Sequence, residues 1–168
     1  RSTDWRKVRA VMFLDPYGMD VEWRTLEAIA RTKAIDLWYL FSLSGLYRQA
    51  TRDVSNIDPS KRAALDRMLG NNRWQSELYS MASEQTLFGE TSLERRSSDV
   101  RGLEAYVKER LKEIFPTVLS PLALPRTRRP QLFSLFFAIS NPDPRAIGPA
   151  TRIASHILSS GSSSQVRP

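Results

Sequence analysis

The residue types best suited to chemistry stand together at Asp15-Pro16-Tyr17-Gly18. Asp15 offers a carboxylate, Pro16 a carbonyl oxygen on a residue with no backbone donor, and Tyr17 an aromatic face. The turn thus sets an acid, a free carbonyl and an aromatic ring side by side. Gly18 completes the turn, since it tolerates positive φ, and borders any substrate held there. A basic cluster is the other candidate. Arg126, Arg128 and Arg129 lie on a short link between Pro125 and Pro130, where guanidinium groups reach phosphates. Solvated charge that discourages pairing at a sheet edge explains the same arginines. Arg6, Lys7 and Arg9 fall at the other end of the strand and read as solvated charge. His156, the one histidine, reads as a surface or half-buried residue on a helix.

The turn needs elements to hold it. Residues 8–14 precede it, and Val11-Met12-Phe13-Leu14 is a continuous apolar run of the kind found in strands buried on both faces. A helix over 21–33 follows, capped by Asp20, with Trp23, Leu26, Ile29 and Ala30 on one side. Residues 35–41 then form a second strand rich in aromatic and branched side chains. Strand, helix and strand in so short a span make a βαβ unit with parallel strands and a right-handed crossover. Ligands of open α/β sheets bind at the carboxyl ends of such strands, which is where Asp15 falls.

Further along, 42–56 reads as a loop with at most a helical turn. Asp58-Pro59 starts a helix that buries Leu65, Met68 and Leu69 and stops at Gly70. A short helix over 71–79 carries Trp74 and Leu78 inward; Trp23, Trp38 and Trp74 all fall on apolar faces and read as core. Residues 83–98 are polar and read as a surface segment. Asp99 caps a long helix that ends near Phe115, before Pro116. Residues 117–124 and 131–140 are two strands whose short connection makes them antiparallel. Pro121 puts the first at the sheet edge, and the apolar run 132–139 puts the second inside. Asn141-Pro142-Asp143-Pro144 ends it, a last helix covers 144–158, and 159–168 is a flexible Ser/Gly-rich tail.

The 168 residues suit one α/β domain. With no cysteine, the chain holds no disulfide, thiolate zinc site or iron–sulfur cluster, and one histidine excludes a histidine-rich metal site. No apolar run approaches the ~20 residues of a membrane-spanning helix, and no secretory leader is evident, so the cytoplasm is the default location. The net charge of +7 draws the chain toward polyanions, nucleic acid among them, though a scattered surface excess gives the same figure. The start at Arg1, without Met, a few residues before a core strand, reads as the cut edge of something larger.

Taken together, these elements resemble the carboxyl-terminal half of a class I S-adenosylmethionine-dependent methyltransferase, a Rossmann-like sheet. The resemblance makes 8–14, 35–43, 117–124 and 131–140 the fourth to seventh strands. They form a four-stranded mixed sheet in the order fourth, fifth, seventh, sixth, with the last strand antiparallel and helices on both sides. At the level of sequence the chain is similar to the three-Cys-motif partner protein family. The residues that carry this are Phe13-Leu14-Asp15-Pro16-Tyr17-Gly18, Trp23 with Leu26-Glu27-Ala28-Ile29-Ala30, Asp36-Leu37-Trp38-Tyr39-Leu40-Phe41, and Leu135-Phe136-Phe137-Ala138-Ile139-Ser140-Asn141-Pro142. Such proteins are named for a neighbour bearing a three-cysteine motif, which the resemblance therefore implies as a partner.

The resemblance implies S-adenosylmethionine as cofactor, yet the glycine-rich loop that would hold it is absent. The seven glycines, Gly18, Gly45, Gly70, Gly89, Gly102, Gly148 and Gly161, are all isolated. Residues 1–158 thus read as a partial domain without the cofactor-binding half, inactive alone and unable to bind the cofactor tightly. In amino-methylating nucleic-acid enzymes an Asp/Asn-Pro-Pro-aromatic turn takes the position of Asp15-Pro16-Tyr17. By that likeness Asp15 and the Pro16 carbonyl accept the target amine's hydrogens and Tyr17 stacks on an extruded base. Here one proline is missing. Two further readings stand beside this one. The chain is a non-catalytic module that binds nucleic acid or a protein, or a structural piece whose exposed first strand pairs with the missing half or another copy.

Overall fold

The computed structural model describes residues 3–17, 19–86, 89–125 and 131–160. In chain order, β1 (Ala10–Leu14) leads into α1 (Trp23–Arg31) and β2 (Ile35–Phe41). Then come α2 (Leu43–Gln49), a 3-10 turn at Val54–Asn56, α3 (Pro59–Leu69) and α4 (Trp74–Leu78). A hairpin of β3 (Tyr79–Thr86) and β4 (Gly89–Arg96) precedes α5 (Val100–Lys112). The chain continues through β5 (Thr117–Val118), β6 (Leu122–Leu124), β7 (Phe133–Ile139) and α6 (Pro144–Ser160).

The class is α/β, with a mixed five-stranded sheet and helices on both faces, consistent with a Rossmann-like fold. β1 and β2 are parallel, in register from Ala10 opposite Ile35 to Leu14 opposite Tyr39. β7 runs antiparallel on the other side of β2, and both β5 and β6 pair with its far edge. The expected order of first, second, last and third strand is present in outline. It differs in detail, because the single edge strand expected over 117–124 is two short pieces. Ser120 and Pro121 fall in the gap, and a proline cannot donate to β7.

One face of the sheet is covered by α1, α2, α3 and α5, around Leu37, Phe41, Leu43, Leu46, Trp74, Leu103 and Phe136. The other is covered by α6, which packs Ala154, Ile147 and Ala150 on Phe137 and Ile139. Its packing there is centred on β7, and its first turn approaches β1 only at Ala146, near Val11. This corrects the expectation that the first strand is buried on both sides. Ala10, Met12 and Leu14 turn toward the core, while Val11 is 69% and Phe13 58% exposed. The apolar run of β1 is real, but one of its faces is left largely exposed at Val11 and Phe13.

Three other expectations change. Residues 83–98 are not a bare surface segment, because β3 and β4 form a two-stranded sheet of their own, from Tyr79 opposite Arg96 to Thr86 opposite Gly89. Residues 42–56 hold a true helix, α2, whose Ser42 Oγ accepts from the Gly45 N–H at 3.2 Å. Asp20 does not cap α1; Glu22 takes that position without a side-chain cap bond. The caps at Asp58 and Asp99 are as expected, accepting from the N–H of Lys61 (3.0 Å) and Gly102 (2.9 Å). α6 extends to Ser160, past the expected Leu158, and residues 161–168 of the expected tail lie outside the described residues.

Gly70 ends α3 in the left-handed region at φ +79°. A Cβ there would lie 2.3 Å from the Trp23 ring, so glycine is required by the backbone and by the packing alike. The other side of Trp23 meets the Arg110 guanidinium, 4.6 Å from the ring centroid. Arg110 is buried, donates to the Leu69 carbonyl at 2.9 and 3.3 Å, and pairs with Glu113. These contacts lock α1, α3 and α5 to one another behind the carboxyl end of the sheet.

Candidate functional site at the carboxyl end of the sheet

β1 stops pairing at Leu14, opposite Tyr39, where Pro16 leaves the strand nothing to donate. Asp15 is exposed there, Pro16 is half-buried, and Tyr17 is 92% exposed with its ring free to receive a planar group. Asp15 has no hydrogen-bond or ion-pair partner among the described residues. Of the remaining candidates, Gly18, Arg126, Arg128 and Arg129 lie outside the described residues. Arg6 binds Asp4 at 3.0 Å. Arg9 donates to the Lys33 carbonyl at 2.8 Å, beside the start of β1 and away from the turn. His156 is exposed on α6. Trp23 and Trp74 are core, and Trp38 is half-buried with its ring centroid 4.5 Å from that of Phe137.

Beneath Tyr17 opens a cleft of about 440 Å³. Tyr17 and Met19 line it from the turn, Asp20 and Glu22 from the approach to α1, Arg48 and Gln49 from α2, and Arg67 from α3. Because neither Asp20 nor Glu22 caps α1 through its side chain, both acids stay at the wall; Glu22 pairs with Arg24 at the rim. Arg48 and Arg67 have no ion pair among the described residues, and they share the lining with the carboxylates of Asp20 and Glu22. The Gln49 Oε1 atom is buried without a hydrogen-bond partner. At Gly45 a side chain would come within 2.8 Å of Ser42 Oγ and 3.2 Å of Met19, so glycine preserves both the cap of α2 and the opening beside it.

The wall on the α2 side is firmly held. Tyr79 donates from its phenol to the Thr51 carbonyl at 2.6 Å, and burial pushes its pKa up to about 12, so it remains a donor across the neutral range. The Arg96 guanidinium lies 4.0 Å over the Tyr47 ring, tying the base of the hairpin to α2.

The arrangement combines an exposed ring, several hydrogen-bond acceptors, two guanidinium groups and two carboxylates around one opening. Those are the complements of a planar base, an amine and a phosphate. Reading 42–56 as a loop hides Arg48 and Gln49, while Arg67 falls on the expected helix after Asp58 with nothing in the sequence to mark it as facing a cleft. The signal was legible: Ser42 is a cap, and Leu43, Leu46 and Ala50 repeat at helical spacing. Among the described residues no group of three or more His, Asp or Glu side chains could hold a metal ion. The chain matches no family model, no curated protein and no solved structure.

Proposed function

We propose that this chain supplies the acceptor side of an S-adenosylmethionine-dependent methyltransferase-like site acting on an amine of a nucleic acid or nucleotide-like substrate. The observation that supports the reading is the cleft beside the carboxyl end of β1, lined by Tyr17 of the turn and by Arg48 and Arg67, with Asp15 and Pro16 next to Tyr17 in the chain but outside the lining. The sheet order also supports it, since an antiparallel last strand lies between a parallel pair and the outer pieces. In this reading the Asp15 carboxylate and the Pro16 carbonyl accept the two amine hydrogens and leave the nitrogen lone pair unengaged. Tyr17 stacks on the base, and Arg48 and Arg67 hold phosphate. A three-cysteine-motif protein is the implied protein partner.

The residues described do not fit S-adenosylmethionine itself. β2 runs through Ser42 directly into α2, and Gly45 is filled against Ser42 and Met19 rather than forming a cradle. No transfer step is therefore assigned to these residues; they bind and orient the amine. A non-catalytic binding module is the second reading, favoured by the lack of a partner for the Asp15 carboxylate among the described residues.

Fluorescence anisotropy with labelled single-stranded DNA and RNA tests the binding that both readings share. Tyr17→Ala should weaken binding about tenfold, as loss of one stacked base does. Arg48→Ala with Arg67→Ala should flatten the dependence on salt. Unchanged affinity in all of these variants would refute the site. The enzyme reading is separated by calorimetry: tight binding of S-adenosylmethionine by this chain would contradict the missing cradle.

A further inference from the structure

The geometry points to a second copy of this chain as the occupant of the open edge of β1, paired antiparallel about a two-fold axis through Met12. The inference rests on the edge and face of β1 rather than on the cleft, and it engages Asp15, the carboxylate that the proposed function gives to the amine, so an Asp15 paired across the dimer is not available to that substrate.

Among the described residues β1 has one neighbour, β2. The Ala10 N–H donates to the Ala34 carbonyl at 2.9 Å, which fixes the parity of the strand. Ala10, Met12 and Leu14 direct their main-chain groups at β2, so those of Arg9, Val11 and Phe13 point to the open edge. The same odd-numbered residues occupy the sheet face that α6 leaves uncovered, where Val11 and Phe13 are the exposed apolar pair. An unpaired edge with apolar side chains beside it is a template for another strand.

The order of residues selects the partner. A two-fold axis normal to the sheet keeps each face on its own side and sets residues whose numbers are equally far from Met12 opposite one another. Val11 then meets Phe13 of the other copy, and each such pair exchanges both main-chain hydrogen bonds. Arg9 meets Asp15 of the other copy, and both are exposed in the single chain. The uncovered row thus reads cation, apolar, apolar, anion, which is its own complement when reversed. Centring the axis on Val11 instead would set Arg9 against Phe13 and lose the charge pairing. Asp15 has no partner within the described residues, and Arg9 uses one guanidinium nitrogen on Lys33, leaving further donors. Asp36 and Asp143 also face Arg9, so its position is already held on that side.

The contact is one short strand against another, well below the ~1,600 Å² of a standard interface, so a reversible dimer in the micromolar range is expected. The edge holds one strand at a time.

Sedimentation velocity of this chain from low to high micromolar concentration, at physiological salt, should show a monomer–dimer equilibrium. Val11→Pro removes a donor that faces the open edge, not β2, and should abolish association while the far-UV spectrum is unchanged. Arg9→Asp and Asp15→Arg should each weaken the dimer at least tenfold, and the double variant should restore it. The chain has no cysteine, so Met12→Cys should give a disulfide-linked dimer on mild oxidation, whereas Val11→Cys, offset by two residues from its counterpart, should link at least tenfold more slowly. A chain that stays monomeric throughout overturns the inference. So does association that survives Val11→Pro, or equal cross-linking at the two cysteine positions.

Discussion

Replacing Gly70 by alanine tests whether the wall behind the cleft is held as the structure implies. Two costs are involved. Alanine at φ +79° leaves the backbone in a region that disfavours a Cβ, which costs about 1 kcal/mol. The new methyl would also lie 2.3 Å from Cγ and Cδ1 of Trp23. That ring cannot retreat, being buried and backed by the Arg110 guanidinium, so the overlap costs a further ~1–3 kcal/mol in displaced side chains. The sum, roughly 2–4 kcal/mol, is a large share of the ~5–15 kcal/mol that holds most domains folded. Urea denaturation followed by far-UV circular dichroism measures it. Trp23→Ala separates the two terms, because in that background Gly70→Ala should cost only the ~1 kcal/mol of backbone strain. Gly70→Asn makes the complementary test, since asparagine accepts the left-handed region more readily but keeps the Cβ. A loss below ~1 kcal/mol for Gly70→Ala in the otherwise unchanged protein would refute the argument.

Arg110→Leu should cost about 1.5–3 kcal/mol, because it strips the buried Leu69 carbonyl of its charged donor. Hydrogen bonds from Arg110 foremost, and from Arg73, hold the Glu113 carboxyl below its ordinary value. The stability this gives is present above the unfolded pKa of about 4.3 and lost as pH falls through the folded one, so Tm should fall less steeply with acid in Arg110→Leu than in the parent. Equal acid slopes would count against the linkage. Asp36 has the opposite sign: burial, outweighing the Ser140 N–H and Arg9, raises its pKa. Its charged form is disfavoured in the fold, so stability is greatest below the unfolded pKa and declines as pH rises through the folded one. Asp36→Asn keeps an acceptor for the Ser140 N–H and should raise Tm at pH 7, with the gain vanishing near pH 3; a gain equal at both pH values would exclude ionisation as its cause.

The parallel β1-α1-β2 unit and the antiparallel β7 were legible because apolar runs and proline stops agree with one another there. The chemistry of β1 was half legible. Its alternation is invisible in a run where every residue is apolar, so only the position of α6 over β7 reveals that Val11 and Phe13 are uncovered. The hairpin was hidden for the converse reason: Tyr79–Thr86 and Gly89–Arg96 carry many polar residues and little apolar alternation, and their ladder is satisfied by each other. The turn at Asp15 was found by residue type alone. The cleft walls were not, since Arg48, Gln49 and Arg67 gain meaning only when α2 and α3 bring them to the same opening.

The hairpin has a consequence of its own. The Ser97 N–H donates to the Leu78 carbonyl at 2.9 Å, so its two stems are already joined at the root. Beyond the Tyr79–Arg96 rung, pairs of residues can be added or removed at the far end without changing the distance the rest of the chain must span. Related chains should therefore differ in arm length while keeping Tyr79 and its bond to Thr51, and a shortened arm spliced just above that rung should leave the five-stranded sheet intact.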